Sequence, residues 1–264
     1  MTKFKGGIMD SNKDLVISTQ GLCKTFSVGG VQQHVLNNLD LQIVKGDFTV
    51  IMGNSGSGKS TLLYALSGMD RPTLGKIFFG GEEISEYSND KLAKFRRSNC
   101  GFIFQDVFLN DNMSVMDNVL SAGYLSKRPR KQVYDDACKY FESVGIGKEM
   151  HSKFPTQMSG GELQRVGLVR AVINDPKVIF ADEPTGALNS ANSIAVLDIM
   201  NNMHSQGKSI VMVTHDIRSA IRGNRVLYLK DGVILNEIEL GDYDPLEEKS
   251  RLDTLKCFLD EMGW

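Results

Sequence analysis

The chain has 264 residues, of which 41% are hydrophobic, so it is long enough for one large domain or for a core domain with an inserted subdomain. Lysine and arginine number 30 against 32 aspartate and glutamate residues, and the net charge of -2 lacks the basic excess of a nucleic-acid-binding protein. Nucleic acid is therefore not expected among the partners.

The apolar runs of the chain are too short to cross a membrane. The run at 210–213 is typical of them, whereas a membrane-spanning helix needs about 20 apolar residues. Residues 1–14 mix lysine and aspartate and lack the apolar stretch of a secretion signal. We therefore expect a cytoplasmic protein whose residues 1–14 form a mobile N-terminal extension.

The first part of the chain has the pattern of short antiparallel strands. Apolar runs between polar turns predict strands at 15–18, 41–44 and 48–52. Further along, strand-like runs at 101–104, 178–181 and 210–213 alternate with helix-like stretches. This alternation is typical of a parallel α/β sheet.

Residues 88–174 show few β-branched runs and have apolar residues at helical spacing, so we predict a mainly helical insertion there. Within it, Ser114 and Asp117 have the spacing of a capping box and predict a helix that starts at Ser114.

Two further elements are predicted near the C-terminus. Asp231 and Gly232 separate the strand-like runs 225–229 and 233–240 and are a strong signal for a hairpin. Apolar residues on one helical face predict a docked helix in the tail, 241–264.

A phosphate-binding loop is indicated directly after the strand predicted at 48–52. Eight consecutive residues match G-x-x-x-x-G-K-[ST], and a helix-like stretch that starts at Thr61 follows them. Glycines let successive backbone N–H groups point at phosphate oxygens, and the helix N-terminus adds its positive end. Lys59 would hold the β- and γ-phosphates, and Ser60 would ligate Mg²⁺. The matching residues are Gly53, Asn54, Ser55, Gly56, Ser57, Gly58, Lys59 and Ser60.

Two adjacent carboxylates, Asp182 and Glu183, follow the apolar run 178–181. A carboxylate at the tip of a buried strand is where P-loop enzymes hold magnesium, and a second one beside it can polarise water. Taken alone, the pair fits a solvated turn equally well.

A second motif lies between the phosphate loop and Asp182. Residues 158–165 read Met-Ser-Gly-Gly-Glu-Leu-Gln-Arg and resemble the signature motif of ABC transporter ATP-binding subunits. The order of the three motifs is that of the family.

Smaller motifs complete the resemblance. Gln105 is similar to the Q-loop glutamine of the family, His215 to its switch histidine and Phe26 to the aromatic residue that stacks on adenine. Each is weak alone, but their order along residues 15–240 identifies the chain as a member of the ABC ATPase family.

The resemblance implies a fold as well as an activity. It implies an α/β fold, with a P-loop NTPase core sheet, an antiparallel β subdomain and the inserted helical subdomain, in an ATPase domain at 15–240. It also implies a head-to-tail dimer of two copies of the chain. ATP bound at Lys59 of one copy would be completed by signature residues of the other, which are Ser159, Gly160, Gly161 and Glu162.

The family's residue roles carry over to matching positions. Glu183 would orient and activate the attacking water, His215 would contact the γ-phosphate, and Gln105 would reach Mg²⁺ and sense the nucleotide. The implied cofactors are ATP, bound by Phe26 and residues 53–61, and Mg²⁺. The implied metal ligands are Ser60, Gln105 and Asp182.

One position departs from the family pattern. The loop after Asp182 has Asn189 where the family commonly has aspartate. Communication across the dimer is therefore expected to differ, while Asp182, Glu183 and His215 still predict a working ATPase.

Within the family, residues 181–186 resemble the branch of lipoprotein-release, cell-division and macrolide ATPases. Residues 222–232 and 258–264 look most like the ATPases of bacitracin-type peptide-antibiotic resistance transporters. That resemblance implies a separate membrane permease, a link to a sensor kinase through the permease, and a location on the inner face of the cell membrane. It also implies export of, or resistance to, antimicrobial peptides, although the exported or displaced molecule itself would be recognised by the permease.

The alternatives are an ATPase of a lipoprotein-release or cell-division complex and a nucleotide-dependent scaffold that does not hydrolyse ATP. Soluble DNA-repair relatives would carry long heptad arms, and ribosome-associated relatives would carry two cassettes. Neither feature is found in this sequence.

The segment 107–116, after Gln105, is a candidate docking surface for the permease. Phe108, Leu109, Met113 and Met116 are apolar in a polar context and fit exposed anchors for a partner helix. The alternative is that they pack inside the helical insertion.

Overall fold

The structure is a computed structural model that describes residues 14–264. Apart from Asp14, the extension predicted at 1–14 lies outside the described residues. Asp14 Oδ2 accepts a hydrogen bond from Lys45 Nζ at 3.2 Å.

The described residues form eleven strands and eight α-helices, with short 3₁₀ turns between some of them. The strands are β1 (Leu15–Val28), β2 (Val31–Leu39), β3 (Gln42–Val44), β4 (Phe48–Met52), β5 (Leu74–Phe79), β6 (Glu82–Glu83), β7 (Cys100–Phe104), β8 (Val178–Asp182), β9 (Ser209–Val213), β10 (Arg225–Lys230) and β11 (Val233–Glu239). The helices are α1 (Lys59–Leu66), α2 (Asn89–Asn99), α3 (Val115–Gly123), α4 (Arg130–Ser143), α5 (Gly160–Val172), α6 (Ser190–Ser205), α7 (Ile217–Ala220) and α8 (Glu248–Glu261).

Six strands form the central sheet in the order β11-β10-β4-β9-β8-β7. The neighbours from β10 to β7 pair in parallel, and β11 closes one edge through an antiparallel hairpin. Every residue of β4 and β9 is buried, as expected for inner strands with both faces covered. The hairpin predicted at Asp231 and Gly232 is present, and both residues have positive φ, which is required by the hairpin turn.

The second sheet is antiparallel, in the order β2-β1-β5-β6 with β3 beside β1. The sequence predicted only the start of β1, because Gly21 and nearby polar residues interrupt the apolar pattern, and the ladder has irregular register between Gln20 and Cys23. The exposed hairpin strand β2 was not predicted, since it is rich in polar side chains. The backbone N–H of Asn37 donates to Gly232 O at 2.9 Å and joins this sheet to the β10–β11 hairpin.

Helices α3, α4 and α5 pack around a separate apolar cluster that includes Val119, Val133 and Phe141. Helix α3 has Ser114 as its N-cap, with Asp117 N donating to Ser114 Oγ at 3.1 Å, as predicted. The predicted helical range 88–174 also contains β7, which pairs with β8 in the central sheet. The helical part is therefore interrupted by a core strand.

The C-terminal tail ends in α8, whose residues Leu255, Phe258 and Leu259 pack on the core cluster around the central sheet. Arg251 of the same helix is 4% exposed and donates hydrogen bonds to carbonyl groups at the entrance of β10 and at the end of β11. Among residues 14–264, no helix has the length and hydrophobicity needed to span a bilayer.

Candidate active site

Four loops converge at one edge of the central sheet. Gly53 follows β4, Gln105 follows β7, Glu183 follows β8 and Thr214 follows β9. Because these strands are parallel, their carboxyl ends lie at the same edge, where open α/β sheets bind ligands.

Two glycines of the phosphate loop have positive φ and lie too close to neighbouring backbone oxygens to carry a Cβ. Gly53 has φ 152°, and a Cβ there would collide with Leu229 O. Gly58 has φ 100°, and a Cβ there would lie 2.9 Å from Val35 O. The loop therefore fits between β10 and β2 only without side chains at these two positions.

Lys59 closes the phosphate loop from inside. Its ammonium donates to Gly53 O at 2.8 Å and to Asn54 O at 3.0 Å, and the residue is 9% exposed. Burial lowers the pKa of Lys59, while the charges of Glu183 and Asp182 oppose that shift. Ser57 Oγ is also buried, and it has no hydrogen-bond partner. A buried cation and an unpaired hydroxyl in a nest of N–H groups fit a phosphate chain.

Ser60 and Asp182 come together as the sequence predicted. Ser60 Oγ donates to Asp182 Oδ1 at 2.9 Å, and Tyr64 OH donates to Asp182 Oδ2 at 2.6 Å. Hard oxygen ligands of this kind suit Mg²⁺, which is normally held by one or two protein groups together with phosphate and water. The sequence prediction missed Tyr64, although its spacing of four from Ser60 places both on one face of α1.

Gln105 has other contacts than these two groups. Its side chain is packed against Gly186, where an added Cβ would approach Gln105 Cδ to 3.1 Å. Within residues 14–264 it makes no hydrogen bond to Ser60 or Asp182. Of the three predicted metal ligands, Ser60 and Asp182 are hydrogen-bonded to each other, whereas Gln105 packs against Gly186 in the loop after β8.

Glu183 lies between two donors from the loop after β9. His215 Nδ1 lies 2.9 Å from Glu183 Oε1, and Thr214 Oγ1 donates to Glu183 Oε2 at 3.2 Å. The backbone of Glu183 has φ 46°, and its N–H donates to Val213 O at 3.0 Å. The carboxylate is mostly buried while the imidazole is 70% exposed, so the pair reaches from the sheet edge towards solvent.

Phe26 lies on β1 opposite Gln33 of β2, and it is 39% exposed. Lys24 Nζ lies 4.9 Å from the centre of its ring. Since Val35 of β2 borders Gly58, the β1–β2 hairpin lies beside the phosphate loop. An exposed ring on this hairpin can stack on a purine.

The signature residues form a capped helix N-terminus. Ser159 Oγ accepts from Glu162 N at 3.4 Å, and Ser159 N donates to Glu162 Oε2 at 2.8 Å, which is a capping box. Hydrogen bonds from Ser159 lower the pKa of Glu162. Gly161 leaves no room for a Cβ, because it would collide with Asn192 of α6. Ser159 and Gly160 are exposed, and in the described part of the chain no hydrogen bond joins residues 159–162 to the phosphate loop.

Asn189 is the N-cap of α6. Its Oδ1 accepts from Asn192 N at 3.0 Å, a role that an aspartate carboxylate also fills. The departure from the family pattern therefore removes a charge while it keeps the cap.

A family model described as ABC transporter matches residues 36–186. The chain is 42% identical over 222 residues to the macrolide export ATP-binding/permease protein MacB of Chlorobaculum tepidum, a match that covers 84% of this chain and 34% of MacB. It is 39% identical over 223 residues to the lipoprotein-releasing system ATP-binding protein LolD of a Shewanella species, which covers 84% of this chain and 96% of LolD. The chain thus spans about a third of the MacB protein but nearly all of LolD.

Two solved structures share the fold. A dimeric structure of MJ0796, a bacterial ABC transporter cassette, superposes with a TM-score of 0.80 at 33% identity and covers 86% of this chain and 100% of its own. MJ0796 in a post-hydrolysis state bound to ADP and Pi gives a TM-score of 0.78 at 33% identity, with the same coverage of both chains. The predicted fold class is thereby confirmed. The chain therefore belongs to the ABC transporter family, as an ATPase subunit of the branch that contains MacB and LolD.

Proposed function

We propose that this chain hydrolyses Mg²⁺-ATP at sites shared between two copies of itself, and that dimer closure drives a separate membrane permease. The observation that carries the proposal is the cluster at the sheet edge, where Lys59 and Ser60 of the phosphate loop meet Asp182 and the hydrogen-bonded pair Glu183 and His215 follows directly. In this proposal the ATPase domain covers 15–240 with its helical insertion, and 241–264 is a helical tail.

The residues of one copy bind and orient ATP. The N–H groups of residues 53–61 and the Lys59 ammonium bind the phosphates, and the exposed ring of Phe26 stacks on adenine. Ser60 and Asp182 hold Mg²⁺, which when bound neutralises charge that develops on the phosphate oxygens. Gln105, which packs against Gly186 in this structure, would reach this metal and sense the nucleotide.

Glu183 orients and activates the attacking water. Its two oxygens already have fixed donors, Thr214 and His215, so the carboxylate is held in place before substrate binds. His215 lies at the exposed end of this pair, and a rotation of its ring towards the γ-phosphate would free one oxygen of Glu183 for the water.

The second copy completes each site. Ser159 and Gly160 are exposed at the N-terminus of α5. Among residues 14–264, no hydrogen bond joins them to the phosphate loop of their own chain. A helix N-terminus with free N–H groups binds anions, so Ser159, Gly160, Gly161 and Glu162 of one copy suit the γ-phosphate held by the other. The dimeric state of MJ0796 supports this arrangement.

The permease contact is proposed at the segment after Gln105. Phe108 is 69% exposed with φ 50°, and its ring lies edge-on to Phe104 with 5.5 Å between the ring centres. Arg170 donates to Phe108 O at 2.7 Å and fixes the backbone there. An exposed aromatic residue on a fixed backbone suits a helix seated in a groove.

Three of the four predicted anchors are less exposed than Phe108, and one of them, Met113, is half-buried. Met116 is buried, because it is the second residue of α3 and faces the cluster of the helical part, so its prediction as an exposed anchor is wrong. Leu109 is half-buried against the same cluster. Phe108 is therefore the residue on which the docking proposal depends.

The transport reaction of this chain is proposed from its resemblance to particular members of the family. MacB is named for macrolide export and LolD for lipoprotein release. From the resemblance of residues 222–232 and 258–264 to bacitracin-type ATPases, we propose export of, or resistance to, antimicrobial peptides for this chain. It would then lie on the inner face of the cell membrane with its permease. The link to a sensor kinase stays a prediction from the resemblance alone.

The test is phosphate release by the purified chain with Mg²⁺-ATP, together with the molar mass of the Glu183→Gln variant with and without ATP. We expect turnover by the unchanged chain and an ATP-dependent dimer of the variant. Absence of turnover, with and without co-purified permease, would favour the nucleotide-dependent scaffold instead. Stimulation of the permease complex by a peptide antibiotic, a macrolide or a lipoprotein then distinguishes the transport classes.

A further inference from the structure

The carboxylate of Asp182 is held by α1 at both of its oxygens. Ser60 Oγ donates to Oδ1 at 2.9 Å, and Tyr64 OH donates to Oδ2 at 2.6 Å. Ser60 and Tyr64 are one helical turn apart, so both point from the same face of α1 to the end of β8. Helix α1 therefore holds the Asp182 carboxylate, although Asp182 lies more than a hundred residues further along the chain.

We propose that Tyr64 is a positioning residue for the metal site, which fixes the Asp182 carboxylate so that Oδ1 stays beside Ser60, where these two groups would hold the cation. This inference rests on the Mg²⁺-ATP site proposed above. It adds a residue outside the motif at 53–60, and Tyr64 contacts the carboxylate without being a metal ligand itself.

The phenol is built to act as a donor. A phenol carries its proton in the neutral range, and the Tyr64 hydroxyl lies within hydrogen-bond distance of Asp182 Oδ2. A carboxylate has only acceptor atoms, so the short contact is an O–H donated to a charged oxygen, the stronger kind of hydrogen bond.

The position of the phenol is itself fixed. The ring packs against the core cluster between the two sheets. The carbonyl of Tyr64 accepts from Ser67 Oγ at 3.1 Å and from the backbone N–H groups of Met69 and Asp70 at 2.9 and 3.1 Å. A side chain with two torsions on an anchored helix end holds its hydroxyl more firmly than a long polar side chain could.

Such outer contacts change metal affinity even though they never touch the metal. Removing a hydrogen bond that orients a metal-ligating group typically costs about 10- to 100-fold in metal affinity. Tyr64→Phe removes only the hydroxyl and keeps the ring in the core, so it isolates this contribution. Tyr124→Phe is the matched control, because Tyr124 is exposed at the end of α3 and lies over Arg130 instead of a carboxylate.

The experiment is a titration with Mn²⁺, followed by electron paramagnetic resonance, of the full chain saturated with a non-hydrolysable ATP analogue. We expect the Mn²⁺ Kd of Tyr64→Phe to rise about tenfold. We expect its affinity for the analogue in EDTA and its Tm to stay as in the unchanged chain. Tyr124→Phe should match the unchanged chain in all three measurements.

An unchanged Mn²⁺ Kd in Tyr64→Phe would overturn the proposal, and an equal loss of analogue affinity in EDTA would show a merely structural role. Failure of the unchanged chain to bind Mn²⁺ with the analogue would instead contradict the proposed metal site itself. Should Tyr64→Phe not fold, 3-fluorotyrosine at position 64 keeps the hydroxyl. Its ¹⁹F resonance should shift when Mg²⁺ is added to the nucleotide-bound chain, and a fixed resonance would refute the positioning role.

Discussion

His215 Nδ1 lies 2.9 Å from Glu183 Oε1, so the exposed imidazole and the mostly buried carboxylate form one hydrogen-bonded unit. Replacing Glu183 by glutamine keeps the shape of this unit and removes the charge that, in the proposed function, activates water. We expect turnover to fall by about a hundredfold to ten thousandfold, which is the usual contribution of a positioned general base. ATP binding should persist, and the variant should accumulate as a dimer with ATP.

Phosphate release and molar mass in solution measure both effects. Glu142→Gln, on the exposed face of α4, changes the same side chain away from the site and should leave turnover and molar mass unchanged. Turnover of Glu183→Gln at the rate of the unchanged chain would remove Glu183 from its assigned role.

Lys59→Ala should weaken ATP binding itself. The variant loses an ammonium that is held inside the phosphate loop by Gly53 O and Asn54 O and is placed to bind phosphate. A hydrogen bond to a charged group contributes about 2 kcal/mol, which corresponds to a rise of about 30-fold in Kd. Calorimetry with a non-hydrolysable analogue measures it, and Lys139→Ala, at an exposed position of α4, is the control. Equal affinity of Lys59→Ala and the unchanged chain would contradict the proposed phosphate site.

Asn189→Asp should alter cooperativity more than affinity. The aspartate keeps the cap on Asn192 N, and its charge favours the helix N-terminus by about 0.5 kcal/mol, so the fold should be at least as stable. We expect a changed Hill coefficient for ATP hydrolysis with the nucleotide Kd constant within about twofold. Asn202→Asp adds the same charge to an exposed position of α6 and should leave the Hill coefficient as it is. Equal Hill coefficients in Asn189→Asp and the unchanged chain would make the departure functionally silent.

Phe108→Ser should separate folding from permease binding. The side chain is exposed, so the free energy of unfolding should change by less than about 1 kcal/mol, while co-purification with the permease should fall. Tyr134→Ser removes another exposed aromatic side chain, from α4, and should leave co-purification unaffected. Adding Leu109→Ser should cost stability as well, because Leu109 packs on the cluster of the helical part. Normal recovery of permease with folded Phe108→Ser would place the docking surface elsewhere.

Arg251→Ala should destabilise the attachment of α8. The guanidinium is 4% exposed and donates to five carbonyl groups, so its loss leaves several acceptors without donors inside the protein. We expect the free energy of unfolding to fall by about 3 kcal/mol and Tm to fall by about 6 to 12 °C. Scanning calorimetry measures both, with Lys256→Ala at an exposed position of the same helix as control. For a protein of this size, about 2–4 °C in Tm corresponds to 1 kcal/mol. A Tm within about 2 °C of the unchanged chain would therefore show that water replaces the hydrogen bonds of the guanidinium.

The sequence predicted the elements whose signals are local. The apolar runs of the inner strands and the loop from Gly53 to Ser60 were found because burial on both faces and a phosphate nest each leave a continuous pattern. The exposed strand β2 has no such pattern, since solvent tolerates its polar residues. Its position is set by pairing with β1 and by the contact of Asn37 with Gly232. Both are long-range interactions that leave no local sequence pattern.

The candidate site divides in the same way. Ser60 and Asp182 meet as predicted because one starts a helix and the other ends a strand, and both positions are set by local structure. Gln105 lies in the loop after β7 and its side chain packs against Gly186 of another loop, a tertiary contact that its own motif does not encode. Met116 could have been recognised as buried, since Met116, Val119 and Leu120 repeat at helical spacing after a helix that starts at Ser114.

The backbone of Glu183 is left-handed, at φ 46°, so this conformation limits which amino acids the fold accepts at position 183. In a saturation library read out by both abundance and transport, glycine, asparagine and aspartate should be produced normally, because they accept positive φ at little cost. Valine and isoleucine should be depleted already in abundance, since branching at Cβ opposes this conformation. Loss of transport at normal abundance would then identify the chemical requirement for the carboxylate, separately from the geometric requirement of the turn that carries it.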